Sequence, residues 1–580
     1  MKKTADMNTP DIADEVIETD VLIVGGGVAG CVAAVKARQQ GVSVTILEKA
    51  AIERSGGAAA GMDHLATIPN GDKTIHNIVA QVCDDGQYPP IFNKKGLTDP
   101  NLFFVAWKDA KKNLKELESW GVTVKWDDDE YYWIPSGRTG GMTTVRFHGL
   151  NLKPELAKAA IDSGAKVLQR TMAVELLRDG DRVVGAVALN TRTNKFMVIK
   201  AKSTIVCTGI AQRIFNPEDG APWSNKMMYH WSPSGAGDAH VMAYWAGAKL
   251  VNMEFSSWYS RLLDDKTVMF GSMTDGDGLS TRVVNAKGEV VNENAFMSLE
   301  KYVEQETLGK TPLYFDTPSN PEDHQLKREV ACADERPVSL KYLKDRGWDY
   351  RTHRFELHGT KPLALTKFMA AIVVDVTMKT TVDGLYSAGD AVQSGGAVTG
   401  SVATGFICGT EAAKAAKSAP EGKVDEKQVK ACRKRVFAHM KVKDGAEPLE
   451  FESKVRATCE RYTGIFRTEG KLKEGLSRLA DLRKDWLHRI AATNPHELMR
   501  AMDCHYLIEL AEIHLRSALK REDTRASFYR ADFPTRSPEW DKKVNFTFRR
   551  DGQMVIEKGE LPELRDEYKN MAPEHAVEGV

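Results

Sequence analysis

One run near the start of the chain narrows its fold more than any other feature. Asp20-Val-Leu-Ile-Val-Gly-Gly-Gly-Val-Ala-Gly30 is a short apolar strand leading into the turn Gly25-x-Gly27-x-x-Gly30. A helix from Cys31 to Gln40 and a second strand, Val42-Ser-Val-Thr-Ile-Leu-Glu48, are expected to follow. The glycines allow a tight turn and a close approach of backbone to a pyrophosphate, which then rests on the positive N-terminal end of the helix. Glu48 ends the second strand about 20 residues beyond the glycines, where a carboxylate accepts hydrogen bonds from a ribose 2′-hydroxyl. A GxGxxG alone carries little weight, but strand, glycines, helix, strand and terminal acid in one unit predict a dinucleotide-binding α/β domain. They leave the nucleotide open.

With 580 residues, 42% of them hydrophobic, the chain can bury a large core, and its length predicts two to four domains. Lys plus Arg equals Asp plus Glu at 80 each, so composition argues for neither nucleic acid nor an anionic membrane surface. The first ten residues have no apolar run behind their lysines, and no stretch approaches 18 uninterrupted apolar residues. A cytoplasmic chain without membrane insertion is the expectation. The eight cysteines include no CxxC pair and no ferredoxin-like spacing, so no iron–sulfur cluster and no metal is expected in this chain. Cys504-His505 reads as part of a helix face rather than as a metal ligand pair.

Val167 to Leu177, Arg182 to Asn190 and Lys195 to Ile205 are β-rich runs separated by polar turns, a β-meander whose last strand enters Ser203-Thr-Ile-Val-Cys-Thr-Gly209. Far downstream, Thr381-Val-Asp-Gly-Leu-Tyr-Ser-Ala-Gly-Asp390 is another buried strand, followed by a small-residue helix start from Gly395 to Gly409. These segments resemble the second and third signatures of glutathione-reductase-type flavoproteins. That resemblance implies FAD, with Asp390 on the ribitol and the next helix N-terminus facing the isoalloxazine.

Arg54-Ser-Gly-Gly-Ala-Ala-Ala-Gly61, Ser234-Gly-Ala-Gly-Asp-Ala-His240 with Ala246 to Phe255, and the insertion around Val284-Asn-Ala-Lys-Gly-Glu289 resemble the succinate dehydrogenase and fumarate reductase flavoprotein superfamily over nearly the whole chain. The nearest branch is the adenylylsulfate reductase alpha subunit, on Glu53-Arg-Ser-Gly56, Phe147-His-Gly with Lys153-Pro154, Trp231-Ser, and His496-Glu-Leu498. Leu515 to Arg525 and Phe528 to Pro534 resemble the end of that superfamily's helical domain. The implied fold is α/β: a glutathione-reductase-type, Rossmann-like FAD-binding domain with an inserted α+β capping domain and a C-terminal helical domain. The expected boundaries are an N-terminal tail 1–18, FAD-binding parts 19–225 and 366–420, cap 226–365, helical domain 421–525 and C-terminal extension 526–580. The implied FAD-binding residues are Gly25, Gly27, Val28, Ala29, Gly30, Glu48, Lys49, Ser55, Gly56, Gly57, Ala60, Gly61, Ala173, Val174, Cys207, Thr208, Gly209, Asp238, Gly389, Asp390, Ser401 and Val402. Gly56 stands where relatives carry the histidine that attaches FAD covalently, so a non-covalent flavin is expected.

The dicarboxylate machinery of fumarate reductases is missing from its places. The expected histidine before the last FAD strand falls on Thr366 and the clamp arginine near Thr399; of the site that the adenylylsulfate reductase resemblance implies, the asparagine after the glycine-rich turn falls near Ala66, the histidine on Leu365 or Thr366, and a tryptophan near the substrate on Met227. Without bidentate arginine pairing a dicarboxylate loses both charge and orientation. Arg282 lies close to the proton-donor segment but displaced from it.

Arg261 matches the arginine that sits over the flavin in adenylylsulfate reductase and is the first catalytic candidate, with a surface ion pair as its alternative. His64 is a candidate proton donor or else a structural histidine. Trp231, beside His230, lines the cap hinge or packs in the core. His358 replaces the lost histidine from another position or lies on the surface, and Lys310 offers a point charge to a phosphate or carboxylate. The expected activity is two-electron exchange between FAD and a small anionic substrate, relayed to or from a ferredoxin-like iron–sulfur subunit in a hetero-oligomer. A C=C (enoate or enoyl-CoA) reductase or dehydrogenase and a non-catalytic electron-relay scaffold are the alternatives.

Overall fold

The apolar run after Asp20 becomes the middle of a seven-stranded sheet. In the computed structural model, which describes residues 12–60, 64–83, 96–126, 129–134, 141–147, 149–215, 232, 234–257, 261–262, 281–293, 297, 299–335, 337–358, 364–365, 369–393 and 397–571, Glu15–Val24 lies between Val44–Glu48 and Phe196–Val206, parallel to both. Lys166–Gln169 adds a parallel edge. Val21, Leu22 and Ile23 are fully buried, the pattern of a parallel strand covered on both faces. Phe196–Val206 serves two neighbours along its length. Its first half pairs antiparallel with Arg182–Asn190 of the meander, and its second half pairs parallel with Leu385–Ser387.

Two expectations are corrected here. The helix after the glycines runs Val28–Gln39, capped by Gly27, and so begins three residues before Cys31. The single strand expected from Val167 to Leu177 is two, Lys166–Gln169 and Thr171–Asp179, because Arg170 takes φ +54° and donates its N–H to the Ala50 carbonyl at 3.0 Å. That corner carries the chain from the parallel edge into the meander.

Helix Ala397–Ser418 packs directly on Val28–Gln39. A Cβ at Gly405 would lie 2.8 Å from the Ala29 carbonyl oxygen, and one at Gly409 would lie 2.2 Å from that of Ala33. The absence of side chains at these two positions, one turn apart, is what lets the backbones touch, and the contact holds the N-terminus of the longer helix beside the glycine turn.

The inserted region has its own sheet, ordered Arg261–Leu262, Phe355–His358, Leu313–Asp316, Arg282–Val284 and Val290–Asn292, backed by helices Leu299–Thr307, Glu322–Glu335 and Pro337–Asp345. Its core, which includes Val283, Leu313, Phe315, Phe355 and Leu357, is separate from the main core, whereas residues 238–255 pack with the main one. The chain enters and leaves this region along Ser256–Ser257 and Ala364–Leu365, and these two short strands pair with each other.

Helices Glu426–Ala438, Pro448–Thr463, Glu469–Asp485 and Pro495–Lys520 follow. Asp425, Thr468 and Asn494 cap three of them through side-chain oxygens. The last helix, 26 residues long, is buried around most of its circumference. Beyond it, Lys543–Arg550 and Gln553–Glu560 form a hairpin that extends a sheet containing Leu250–Val251 and Ala371–Ile372. Among the described residues no helix is long and apolar enough to cross a membrane, and no three metal-ligating side chains cluster.

Gly409→Val should force the two helices apart and lower the unfolding free energy by roughly 1–3 kcal/mol. A lower urea midpoint at unchanged slope measures it, and an unchanged midpoint would contradict the contact.

Candidate functional site

The strand ends, the glycine turn and the N-terminus of helix Ala397–Ser418 surround a cleft. Gly25, Gly27, Val28 and Ala29 line one part, Glu48, Lys49, Gly56, Gly57 and Ala173 another, and Cys207, Thr208, Gly209, Asp238, Gly389, Asp390 and Ser401 the rest. Gly25 has φ +106°, and a Cβ there would sit 2.7 Å from the Cys207 carbonyl oxygen. A Cβ on Gly30 would meet the Gly25 carbonyl oxygen at 1.9 Å, so both glycines are sterically required. A Cβ on Gly27 would meet nothing within 4 Å, and the helix it caps has no side-chain cap, leaving its first N–H groups available to an anion.

Glu48 is buried, and its two carboxylate oxygens accept from the N–H groups of Gly26 at 2.8 Å and Ala50 at 2.6 Å. Asp390 lies in the single turn Gly389–Ala391 immediately after the strand Leu385–Ser387, and the Gly389 N–H is held by the Thr404 hydroxyl at 2.9 Å. Ser55 donates weakly to the Gly26 carbonyl, 3.5 Å away. Gly30, Ser55, Val174 and Val402 adjoin lining residues in the chain but are not among those that line the cleft. Ala60 ends the turn Gly57–Ala60, and Gly61 lies outside the described residues. Met172, Ile210, Met242 and Val398 complete an apolar wall that sequence reasoning missed, since single apolar residues in strands and helices carry no signal of facing a cavity.

A buried ion network backs the cleft. Lys49 Nζ lies 2.8 Å from Asp238 Oδ1 and 2.9 Å from Asp503 Oδ1. The other Asp503 oxygen lies 2.5 Å from Arg213, whose guanidinium also forks onto Glu452 at 2.7 and 2.9 Å. Arg456 and Arg500 complete the shell around Glu452. Burial alone would raise the Glu452 carboxyl, but Arg213, Arg456 and Arg500 outweigh it and hold its pKa at about 2. Burial works against the charge on Lys49, and Asp238 and Asp503 restore it, leaving the ammonium with a raised pKa. No local motif announced Arg213, Glu452 or Asp503.

The catalytic candidates occupy three places. His64 lies in the short strand His64–Leu65, buried, with buried Arg146 as its antiparallel register partner. Just beyond it, the Thr399 hydroxyl donates to the Ala66 carbonyl at 2.7 Å, joining this strand's exit to the helix N-terminus at the cleft. Arg261 and His358 are register partners across two strands of the cap sheet. Lys310 precedes the strand Leu313–Asp316, whose Leu313 faces Leu357, the neighbour of His358, and its ammonium sits 2.8 Å from Glu289 beside a cap turn. Trp231, His230, Met227 and Thr366 lie outside the described residues. Cys504 and His505 sit on helix Pro495–Lys520, where His505 Nε2 meets His439 Nε2 at 2.9 Å and Cys504 donates to the Pro448 carbonyl.

Glu452 gives the network a pH signature. An ordinary glutamate loses its proton near 4.5, so the stability carried by the depressed group is complete above that value and is lost as pH falls through the interval down to about 2. Acid unfolding followed by circular dichroism should be steep in that window. Glu452→Gln, which strands buried guanidinium groups, should lower stability at neutral pH and flatten the acid dependence.

Comparison with known proteins places this geometry. A family model for FAD-binding domains matches residues 20–403, and one for the C-terminal region of fumarate reductase flavoproteins matches residues 452–573. The chain is 24% identical to one of the subunits of the CoM/CoB fumarate reductase of Methanothermobacter marburgensis, over 93% of this chain and 99% of that protein. It is 23% identical to the alpha subunit of the adenylylsulfate reductase of Megalodesulfovibrio gigas, over 92% and 94%. The solved adenylylsulfate reductase of Archaeoglobus fulgidus superposes with a TM-score of 0.82 at 23% identity over 96% of this chain and 97% of that one. With both family models matched in order and the cleft built from the glycine turn, Glu48 and Asp390, the chain belongs to the FAD-binding-domain family of the succinate dehydrogenase and fumarate reductase flavoproteins and is an FAD-dependent oxidoreductase.

Proposed function

We propose that this oxidoreductase exchanges two electrons with a small anionic substrate on the cap side of the cleft and relays them singly to or from a separate iron–sulfur subunit. FAD, when bound, supplies the redox chemistry, and the chain supplies position and charge. The first N–H groups of helix Val28–Gln39 hold the pyrophosphate, Glu48 the ribose and Asp390 the ribitol. Gly56, at φ +86°, offers no side chain for a covalent link, which supports a non-covalent flavin.

The observation that carries the substrate reading is the Thr399–Ala66 hydrogen bond. Where the dicarboxylate-clamping arginine was expected, the Thr399 hydroxyl is spent on the carbonyl of Ala66, which itself stands where the adenylylsulfate reductase asparagine was expected, and both residues are buried. This leaves the pairing of Arg261 with His358 across the cap strands as the favoured anion-recognition unit, with His64 beside the helix N-terminus as proton donor. Lys310, already matched by Glu289, has a lesser part in this reading. An adenylylsulfate-reductase-like reaction on a rebuilt pocket fits a cationic cap edge without a dicarboxylate clamp. Both relatives are named as subunits, which supports a partner, and the scattered cysteines favour an iron–sulfur cluster carried outside this chain.

A second reading, reduction of a C=C bond in an enoate or enoyl-CoA, is favoured by the fumarate reductase named among the relatives at similar identity. Anaerobic addition of sulfite to the oxidised, FAD-loaded protein separates the two. AMP-dependent bleaching of the flavin absorbance is expected, with Arg261→Met reducing its rate at least about 100-fold. No bleaching, from a protein whose chemically reduced flavin is instead reoxidised by an enoate, would overturn the first reading in favour of the second. Reoxidation by neither would leave an electron-relay role.

A further inference from the structure

The long helix Pro495–Lys520 lies outside the dinucleotide-binding unit in sequence, yet it touches the cofactor cleft from behind at three points. Asp503 accepts from Lys49 Nζ at 2.9 Å, and Lys49 in turn holds Asp238 at 2.8 Å; both Lys49 and Asp238 line the cleft. One turn along, the Tyr506 hydroxyl lies 3.1 Å from the Ala173 carbonyl oxygen and 2.8 Å from that of Val174, on the meander strand whose Ala173 also lines the cleft. Asp503 and Tyr506 are three residues apart, so they share one face of the helix. Both are fully buried, and Arg213 fixes the second carboxylate oxygen of Asp503 while forking onto Glu452 of the neighbouring helix Pro448–Thr463.

Lys49 also sits at a sensitive place in the chain. It follows Glu48 directly, and Ala50 beyond it both donates its N–H to the Glu48 carboxylate and accepts from the Arg170 N–H. The corner Glu48-Lys49-Ala50 is therefore held by hydrogen bonds on both sides and by Asp503 from behind. A displaced Asp503 would leave Lys49 paired with Asp238 alone and loosen the Glu48 corner from behind.

We propose that Asp503 and Tyr506 are positioning residues for the cofactor: the C-terminal helix sets the adenosine half of the cleft, so FAD binding and seating of the helical bundle form one linked equilibrium. Linkage is reciprocal, so FAD stabilises the helix and a seated helix tightens FAD. The coupling reaches across the chain from Lys49 to Asp503 through direct polar contacts, each of which a single substitution can remove.

The test uses the full chain and reads FAD affinity by flavin fluorescence together with the thermal midpoint of the apoprotein. Asp503→Asn should weaken FAD binding at least tenfold. Lys49→Met should do the same, and the double variant should bind no worse than the weaker single, because both remove one contact. Ile508→Val, a buried apolar change in the same helix, should lower the apoprotein midpoint and leave FAD affinity within twofold. If Asp503→Asn does not fold, Tyr506→Phe, which removes one oxygen, decides with an expected several-fold weakening. Hydrogen exchange on the wild type gives an independent reading, with FAD slowing exchange across residues 495–520. A lowered midpoint with unchanged FAD affinity in the polar variants, or FAD protection confined to residues 20–48, would overturn the proposal and leave the network a structural brace.

Discussion

Charge buried away from water must find charge, and behind the cleft the chain satisfies that demand largely by bringing distant segments together. An uncompensated buried ion costs several kcal/mol, and removing one partner of a buried pair typically costs about 3–5 kcal/mol. Lys49, Arg213, Glu452, Arg456 and Asp503 are all buried or nearly so; Lys49, Arg213, Glu452 and Asp503 each find a partner in another element, and Arg456 pairs with Glu452 one turn away on its own helix. A second set repeats the pattern at the other end of the long helix. Arg521 Nε lies 2.6 Å from Glu254, its guanidinium lies 4.3 Å from the ring of Trp540, and Asn545 of the C-terminal hairpin donates to the same glutamate. Arg467, desolvated until its pKa falls to about 9, lies over Phe528 and donates to Ser256 at the entrance to the cap. Replacing such pairs with apolar residues is often harmless to stability, so their value here is specificity: misdocked helices would leave several ions alone.

How far the sequence alone reaches depends on the range of the interactions that make each feature. The strand, the glycine turn and the helix behind it are decided by neighbours within about ten residues, and Gly25 and Gly30 could be read directly because the turn has one steric solution. Asp390 was singled out by resemblance, and it lies in the turn that follows an apolar strand. Arg170 was not legible, since a non-glycine residue at positive φ in the middle of a β-rich run leaves no compositional mark. The Arg213–Asp503 bridge spans 290 residues, and nothing local to either distinguishes it from a surface charge. The C-terminal hairpin was read as an extension because its partner Leu250–Val251 is two residues long, too short for alternation to register.

The candidate site divides the same way. Its cofactor half is assembled from ends of long, buried elements, whose geometry follows from packing. The substrate half proposed for it draws on short strands of the cap and on the turn after His64, where the Thr399 hydroxyl is hydrogen-bonded to the Ala66 carbonyl. Resemblance located Arg261, while His358 was only a histidine near the cap's return, and the strand register placed the two opposite one another.

The paired strands Ser256–Ser257 and Ala364–Leu365 carry both chain connections to the cap as one two-stranded strap. The described residues between them form an insertion whose two ends begin side by side, with a core from Val283 to Leu357 that also takes in Ile465 of the helical region. Because both connections leave through one paired strap, a change of length inside the insertion need not disturb the register of the seven-stranded sheet beneath.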